Sequence, residues 1–231
     1  GLIYFGVLGL GSSMVSLPFS IYSTFVIEER FGFNKTTVKT FLLDMLKGAA
    51  LGLVIGAPLG ALIIWLYCAL GDYFWLAAWA VMSGFSIFMT MFAATWIMPL
   101  FNKFTPLEEG ELRTAIEAYC DQVGFKLNRL FVMDGSKRSA KSNAFFSGLG
   151  PKKTIALYDT LIEQMETEEI VAVLAHEIGH YKKQHTRQSL VLSVLQSGLM
   201  LFLLGLFLRI PAFSMALGAA EGSFHVGIIA F

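Results

Sequence analysis

Charge is what this sequence has least of. Asp, Glu, Lys and Arg make up 15% of its 231 residues against 55% hydrophobic, and the mean hydropathy is +0.64, which excludes an ordinary soluble domain of this length. Formal net charge is zero, so no basic excess points to nucleic acid and no acidic excess points to a cationic partner. The partner that composition implies is the lipid bilayer. Cysteine is scarcer still: Cys68 sits in an apolar run, Cys120 in a polar one, and no CxxC or Cys/His ligand spacing occurs, which argues against a disulfide framework. The chain also lacks an initiating Met, a basic leader and a small-residue cleavage site, so a signal peptide is the weaker reading of its opening. It starts and stops inside apolar stretches and is expected to be a fragment.

Long apolar runs are what the sequence does have. A hydrocarbon core needs about 20 apolar residues to cross, and residues 1–22, 48–70 and 73–100 meet that length, as does the run from Ser189 to Leu208. A fifth run starts near Ser223 and is cut off. Only Gly71-Asp72 separates the second and third runs, which predicts a transmembrane hairpin rather than buried helices of a soluble core. Crossing at each run puts loop 23–47 and segment 101–188 on one side, together with every Lys and Arg except Arg209. The positive-inside rule makes that side cytosolic. Pro18 is placed to kink the first span, and Gly52, Gly56 and Gly60 repeat at a spacing that suits close helix contact.

The polar segment 101–188 has mixed periodicity. Thr105-Pro106-Leu107-Glu108 has the pattern of a helix start, an N-cap followed by Pro and a capping Glu, and predicts a helix to about Gln122. Short β-branched or aromatic runs at Arg129 to Asp134, Asn143 to Ser147 and Thr154 to Tyr158 predict a small sheet. Thr167, with Glu168 and Glu169 behind it, opens a second helix. The expected fold is mainly α: a polytopic helical membrane protein with a small α+β domain on the cytosolic side. Its parts are an N-terminal transmembrane region at 1–100, a polar domain at 101–188, and a truncated transmembrane region at 189–231.

The second helix runs into His176-Glu177-Ile178-Gly179-His180, an H-E-x-x-H pattern in a chain with only four His. Side chains four apart share a helix face, so both imidazoles can ligate one metal ion while Glu177 reaches a water on it. Zinc accepts neutral imidazole readily and lowers the pKa of a water it holds toward about 7, which suits Glu177 as general base in peptide hydrolysis and makes 101–188 the expected zincin-like metallopeptidase domain. Gly179 sits in the helix interior at a cost of roughly 1 kcal/mol against Ala, which suggests that something packs closely there. A third zinc ligand is missing from the spacing. Thr186 stands where a longer motif would place a His, and His185 is one residue off, on another face, and reads as a solvated residue of the basic stretch Lys182 to Arg187. Glu169 is about 10 Å along the axis, and Glu221 falls across the membrane. The third ligand is expected to be a Glu beyond Phe231, not present in this sequence.

These residues resemble the type I CAAX prenyl endopeptidases, integral-membrane zinc proteases that trim the C-terminus of prenylated proteins. The resemblance rests on Ser142-Asn143-Ala144-Phe145, a Gly-rich turn, Lys153-Thr154-Ile155 and the H-E-I-G-H motif. It rests also on Leu17-Pro18-Phe19 and the run from Phe25 through Glu28-Glu29-Arg30-Phe31-Gly32-Phe33-Asn34 to Lys35. It implies a helical membrane barrel around a water-filled chamber, with Asn143 and Ala144 on an edge strand that pairs with the substrate backbone. It also implies that the third zinc ligand comes from a downstream E-x-x-x-D segment, which this sequence does not contain.

The function expected is therefore a membrane-embedded zinc metalloendopeptidase acting on a peptide or protein, prenylated or not, in CAAX-type processing. Two alternatives stand beside it: a heat-shock-type quality-control metalloprotease, and a zinc-binding structural or transport protein of the membrane. The Phe25 to Lys35 run speaks against the first, and spans nearly free of ionisable residues speak against a transporter. Compact loops favour the bacterial cytoplasmic membrane, with the endoplasmic reticulum membrane as the eukaryotic counterpart.

Overall fold

A computed structural model describes residues 1–147, 154–218 and 224–230; Lys153, Glu221 and Ser223 lie outside them. In chain order the long elements are α1 (Leu2–Tyr22), α2 (Val38–Leu51), α3 (Ala57–Leu70), α4 (Phe74–Trp96) and the short α5 (Met98–Phe101). The polar part follows with β1 (Phe104–Pro106), α6 (Glu111–Gln122), β2 (Arg129–Met133), β3 (Ala144–Ser147), β4 (Thr154–Tyr158), α7 (Asp159–Gln164) and α8 (Thr167–Lys182). The chain ends with α9 (His185–Leu208), α10 (Pro211–Ala216) and α11 (Phe224–Ala230). These elements form two compact units, one from Gly1–Phe19, Gly48–Ser86 and Leu190–Phe231, the other from Ser20–Lys47 and Ile87–Ser189.

In the first unit, a π-helical turn at Gly52–Gly56 leads directly into α3. The hairpin between α3 and α4 is made at Gly71, whose φ of +50° favours a residue without Cβ. Arg209 closes that end, its Nε 3.2 Å from the Asp72 carboxylate and its Nη2 donating to the Asp72 carbonyl. Leu66, Phe74, Ala78 and Phe224 form a small buried cluster, with the Tyr67 ring 5.3 Å from Phe74 and 4.3 Å from Phe224. Much of the remaining apolar surface is exposed, including Val7, Leu10, Met14 and Val15 on α1 and Leu192, Leu195 and Leu199 on α9. Such a surface suits lipid and not water.

The close glycine seam lies elsewhere than expected. A Cβ on Gly52 or Gly56 would meet nothing within 4 Å and one on Gly60 would make ordinary contact with Leu2 at 3.5 Å, whereas one on Gly198 would come within 2.9 Å of the Trp79 indole and one on Gly205 within 3.2 Å of Trp75. The missing side chains of α9 make room for two tryptophans of α4, and the Trp79 Nε1–H donates to the Val194 carbonyl at 2.7 Å. An indole N–H in a hydrocarbon setting needs such an acceptor, and only a glycine groove lets the ring reach it.

The second unit holds a four-stranded sheet in the order β1-β2-β4-β3, with β2 and β4 parallel and both edge strands antiparallel to their neighbours. Its core joins Ile155 and Leu157 of β4 to Ile116 and Cys120 of α6 and to Ile170, Leu174 and Ile178 of α8. Residues 104–106 pair with 131–133 as strand β1, and Leu107 N–H bonds the Leu130 carbonyl, so the helix expected from Thr105 begins only at Glu111. Sheet pairing overrides the local capping pattern there, and Pro106 is tolerated because β1 is an edge strand. The helix end expected near Gln122 is where α6 stops.

Segment 23–47 belongs to this unit. Asn34 bridges Ser139, Lys35 N–H and the Thr36 hydroxyl both donate to the Arg138 carbonyl, and Ala140 N–H donates to the Phe33 carbonyl. Arg138 forms a bidentate pair with Asp44 at 2.6 and 2.8 Å and also donates to Asn102 Oδ1 and the Phe101 carbonyl, each at 2.7 Å. The Asp44 carboxyl is held below the usual carboxylate range, first by the hydrogen bond from Arg138.

Candidate active site

Helix α8 begins with a reciprocal cap. Glu166, preceding Thr167, accepts from the backbone of the third helical residue, and Glu169 accepts the Glu166 N–H at 3.0 Å. The helix is then pressed onto the sheet by Ile170, Leu174 and Ile178, four residues apart and each at most 2% exposed. At about 100° per residue, His176 and His180 lie some 200° around from Leu174 and Ile178. One face of α8 is anchored in the core and the opposite face carries both imidazoles into the open, where both are exposed.

The two Nε2 atoms are 3.0 Å apart, with ring centroids 4.6 Å apart and planes at 59°. A zinc ion held by two imidazoles at bonds of about 2.0–2.1 Å and a tetrahedral angle keeps its nitrogens about 3.3 Å apart, so the pair fits one ion with a shift of a few tenths of an ångström. Glu177 is half-buried beside them. No third His, Cys, Asp or Glu among the described residues completes a metal cluster. Gly179, one residue before His180, has open space where a Cβ would stand. The close packing expected there is absent among the described residues, and the turn between the imidazoles is left uncovered.

Strand β3 packs against α8, and Ala144 is buried in the same core as Leu174 and Ile178. As the last strand in the order, β3 has one edge with no partner strand among the described residues. The Tyr158 N–H donates to the Asn143 carbonyl, so by the alternation of an antiparallel ladder Ala144 turns its backbone groups to the free edge. The Ala144 N–H is occupied by Asn143 Oδ1 at 2.8 Å. The motif brought His176, Glu177 and His180 into consideration and the family resemblance Asn143 and Ala144; the first three lie on α8, Ala144 opens the neighbouring β3, and Asn143 immediately precedes it. His185 is different. It was expected on another face, yet its Nδ1 is 2.9 Å from His180 Nδ1.

Two family models match the chain: "CAAX prenyl protease N-terminal, five membrane helices" over residues 1–103, and "Peptidase family M48" over residues 106–229. The chain belongs to peptidase family M48. Among curated relatives, CAAX prenyl protease 1 of Saccharomyces cerevisiae is 44% identical over 94% of this chain and 48% of its own length. The CAAX prenyl protease 1 homolog of Arabidopsis thaliana is 49% identical over 78% of this chain and 43% of its own. A crystal structure of S. mikatae Ste24p superposes with a TM-score of 0.90 at 42% identity, covering 96% of this chain and 53% of that one. The chain thus spans about half the length of the relatives it matches. Two plain consequences follow: the N-terminal match, with its membrane helices, makes the protein a multi-pass integral membrane protein, and the M48 peptidase family works with a metal cofactor.

Proposed function

We propose that this chain carries the catalytic helix and substrate-edge strand of a membrane-embedded zinc metalloendopeptidase of CAAX type, residues 101–188 being its peptidase domain. The observation that carries the reading is the 3.0 Å approach of His176 Nε2 and His180 Nε2 on the exposed face of a helix anchored in the core. His176 and His180 would hold the ion, and the third ligand comes from outside the described residues. Zinc, when bound, supplies Lewis acidity toward a water and a peptide carbonyl. Glu177 takes the proton of the attacking water on its carboxylate and passes it to the leaving amine. The free edge of β3 aligns an extended peptide above α8 by strand addition. For that pairing Asn143 must release the Ala144 N–H, which makes its side chain the first group a substrate strand displaces.

The M48 N-terminal match and the CAAX protease names of the relatives weigh against the heat-shock and transporter readings. The relatives named are eukaryotic, which moves the location we favour from a bacterial membrane to the endoplasmic reticulum, with the peptidase domain on the cytosolic side. The test is cleavage of a fluorescent C-terminal CAAX peptide, with and without the prenyl group, by the detergent-purified whole protein. Cutting that is abolished by a chelator and restored by added zinc supports the proposal. Cutting indifferent to chelation, or none with either peptide, refutes it.

A further inference from the structure

The inference concerns His185 and rests on reading His176 and His180 as a ligand pair. In an uninterrupted helix a residue five positions after His180 would lie about 140° around and a turn and a half away. Helix α8 instead stops at Lys182. Lys183 and Gln184 N–H groups close its last turn on the Gly179 and Tyr181 carbonyls, and Gln184 adopts a φ of +57°, the only non-glycine residue among those described with a positive value. That conformation is disfavoured for a residue with a Cβ, and the turn is braced around it. Arg187 donates to Gln184 Oε1, Gln188 N–H to the Gln184 carbonyl, and Gln188 Nε2 to the Lys183 carbonyl. The outcome is that α9 starts with His185 turned back onto His180, ring centroids 4.8 Å apart and planes at 81°.

Neutral imidazole has one N–H and one lone pair. His180 offers its Nε2 lone pair toward His176 only if its proton resides on Nδ1, and the atom 2.9 Å from that nitrogen is His185 Nδ1. His185 does not stand beside the Nε2 pair; it lies against the other nitrogen of the His180 ring. We infer that His185 is a positioning residue: its Nδ1 accepts the His180 Nδ1–H, fixing the tautomer and the ring angle that present Nε2 for metal binding. Partners of this kind change metal affinity by about 10- to 100-fold.

The test measures zinc dissociation constants on the detergent-purified whole protein by competition with a chromophoric chelator, for wild type, His185→Ala, His185→Asn and His180→Ala. Asn places an amide oxygen near the position of Nδ1, so it restores the acceptor without an imidazole. The expected pattern is a 10- to 100-fold weakening in His185→Ala and recovery of most of it in His185→Asn, with unchanged melting of the metal-free protein. Wild-type affinity in His185→Ala overturns the inference, and so does equal weakening in both His185 variants. If the Ala variant does not fold, an Asn variant as weak as His180→Ala overturns it as well. His180→Ala with wild-type affinity would instead overturn the ligand reading beneath it, which separates the two failures.

Discussion

Replacing Arg138 by Ala tests how segment 23–47 is held to the rest of the second unit. The guanidinium donates four hydrogen bonds, two to Asp44 and one each to Asn102 and Phe101, and the two side chains of the ion pair are 24% and 25% exposed. Breaking a fully buried pair by removing one partner costs about 3–5 kcal/mol, and hydrogen bonds to charged groups contribute about 1.5–3 kcal/mol each. Partial exposure lowers the penalty, since water can reach the abandoned Asp44, and the loss expected is about 2–3 kcal/mol. Arg138→Lys keeps the charge but not the fork, and recovers less than half. The assay is thermal unfolding in detergent, run as a double-mutant cycle with Asp44→Ala. A coupling of about 1–2 kcal/mol is expected between the two sites. Coupling within about 0.5 kcal/mol of zero would show that the bidentate geometry contributes nothing and that the segment is held by the ties at Phe33 to Thr36, the Lys141–Glu28 pair and the bond from Lys47 to the Leu100 carbonyl.

Other outcomes follow from single contacts. The same pair sets a pH dependence: a carboxyl with a folded pKa below its unfolded value of about 3.9 stabilises at higher pH and loses that contribution as pH falls through the folded value. Wild type should therefore lose more stability than Asp44→Asn below about pH 5, measured as the difference between their melting curves. Gly198→Ala pushes a methyl against Trp79 and threatens its bond to Val194, so it should cost about 1–3 kcal/mol, while Gly52→Ala, with open space around it, should not destabilise. Glu169→Ala removes half of the α8 cap and should cost about 0.5–2 kcal/mol by thermal unfolding; no change would mean that the cap is redundant.

Much of the fold was legible because apolar length and period carry it. The hairpin at Gly71-Asp72, the three strands at 129–133, 144–147 and 154–158, and the helix from Thr167 all follow from local pattern. What was not legible depends on partners distant in sequence. Thr105 to Glu108 has the look of a helix start, and only the pairing of Phe104 to Pro106 with Phe131 to Met133 makes it a strand. The run from Phe25 to Lys35 is recognisable as a signature, but its physical sense lies in bonds to Arg138, Ser139 and Ala140 about a hundred residues on. At the site, the i, i+4 spacing of His176 and His180 on one face could be worked out on paper. The approach of His185 could not, because it depends on Gln184 adopting a left-handed conformation that nothing in its residue type announces. Small-residue spacing pointed to Gly52, Gly56 and Gly60, of which only Gly60 has a neighbour within 4 Å, yet the tighter groove is at Gly198 and Gly205, where bulk on the facing helix decides.

The most direct measurement is zinc content and peptide cleavage of the purified whole protein beside its Glu177→Gln variant. If His176 and His180 hold the ion and Glu177 carries the proton, both proteins retain about one zinc while the variant loses cutting by several orders of magnitude. A variant that cuts as well as wild type, or a wild-type protein that cuts without zinc, contradicts the assignment.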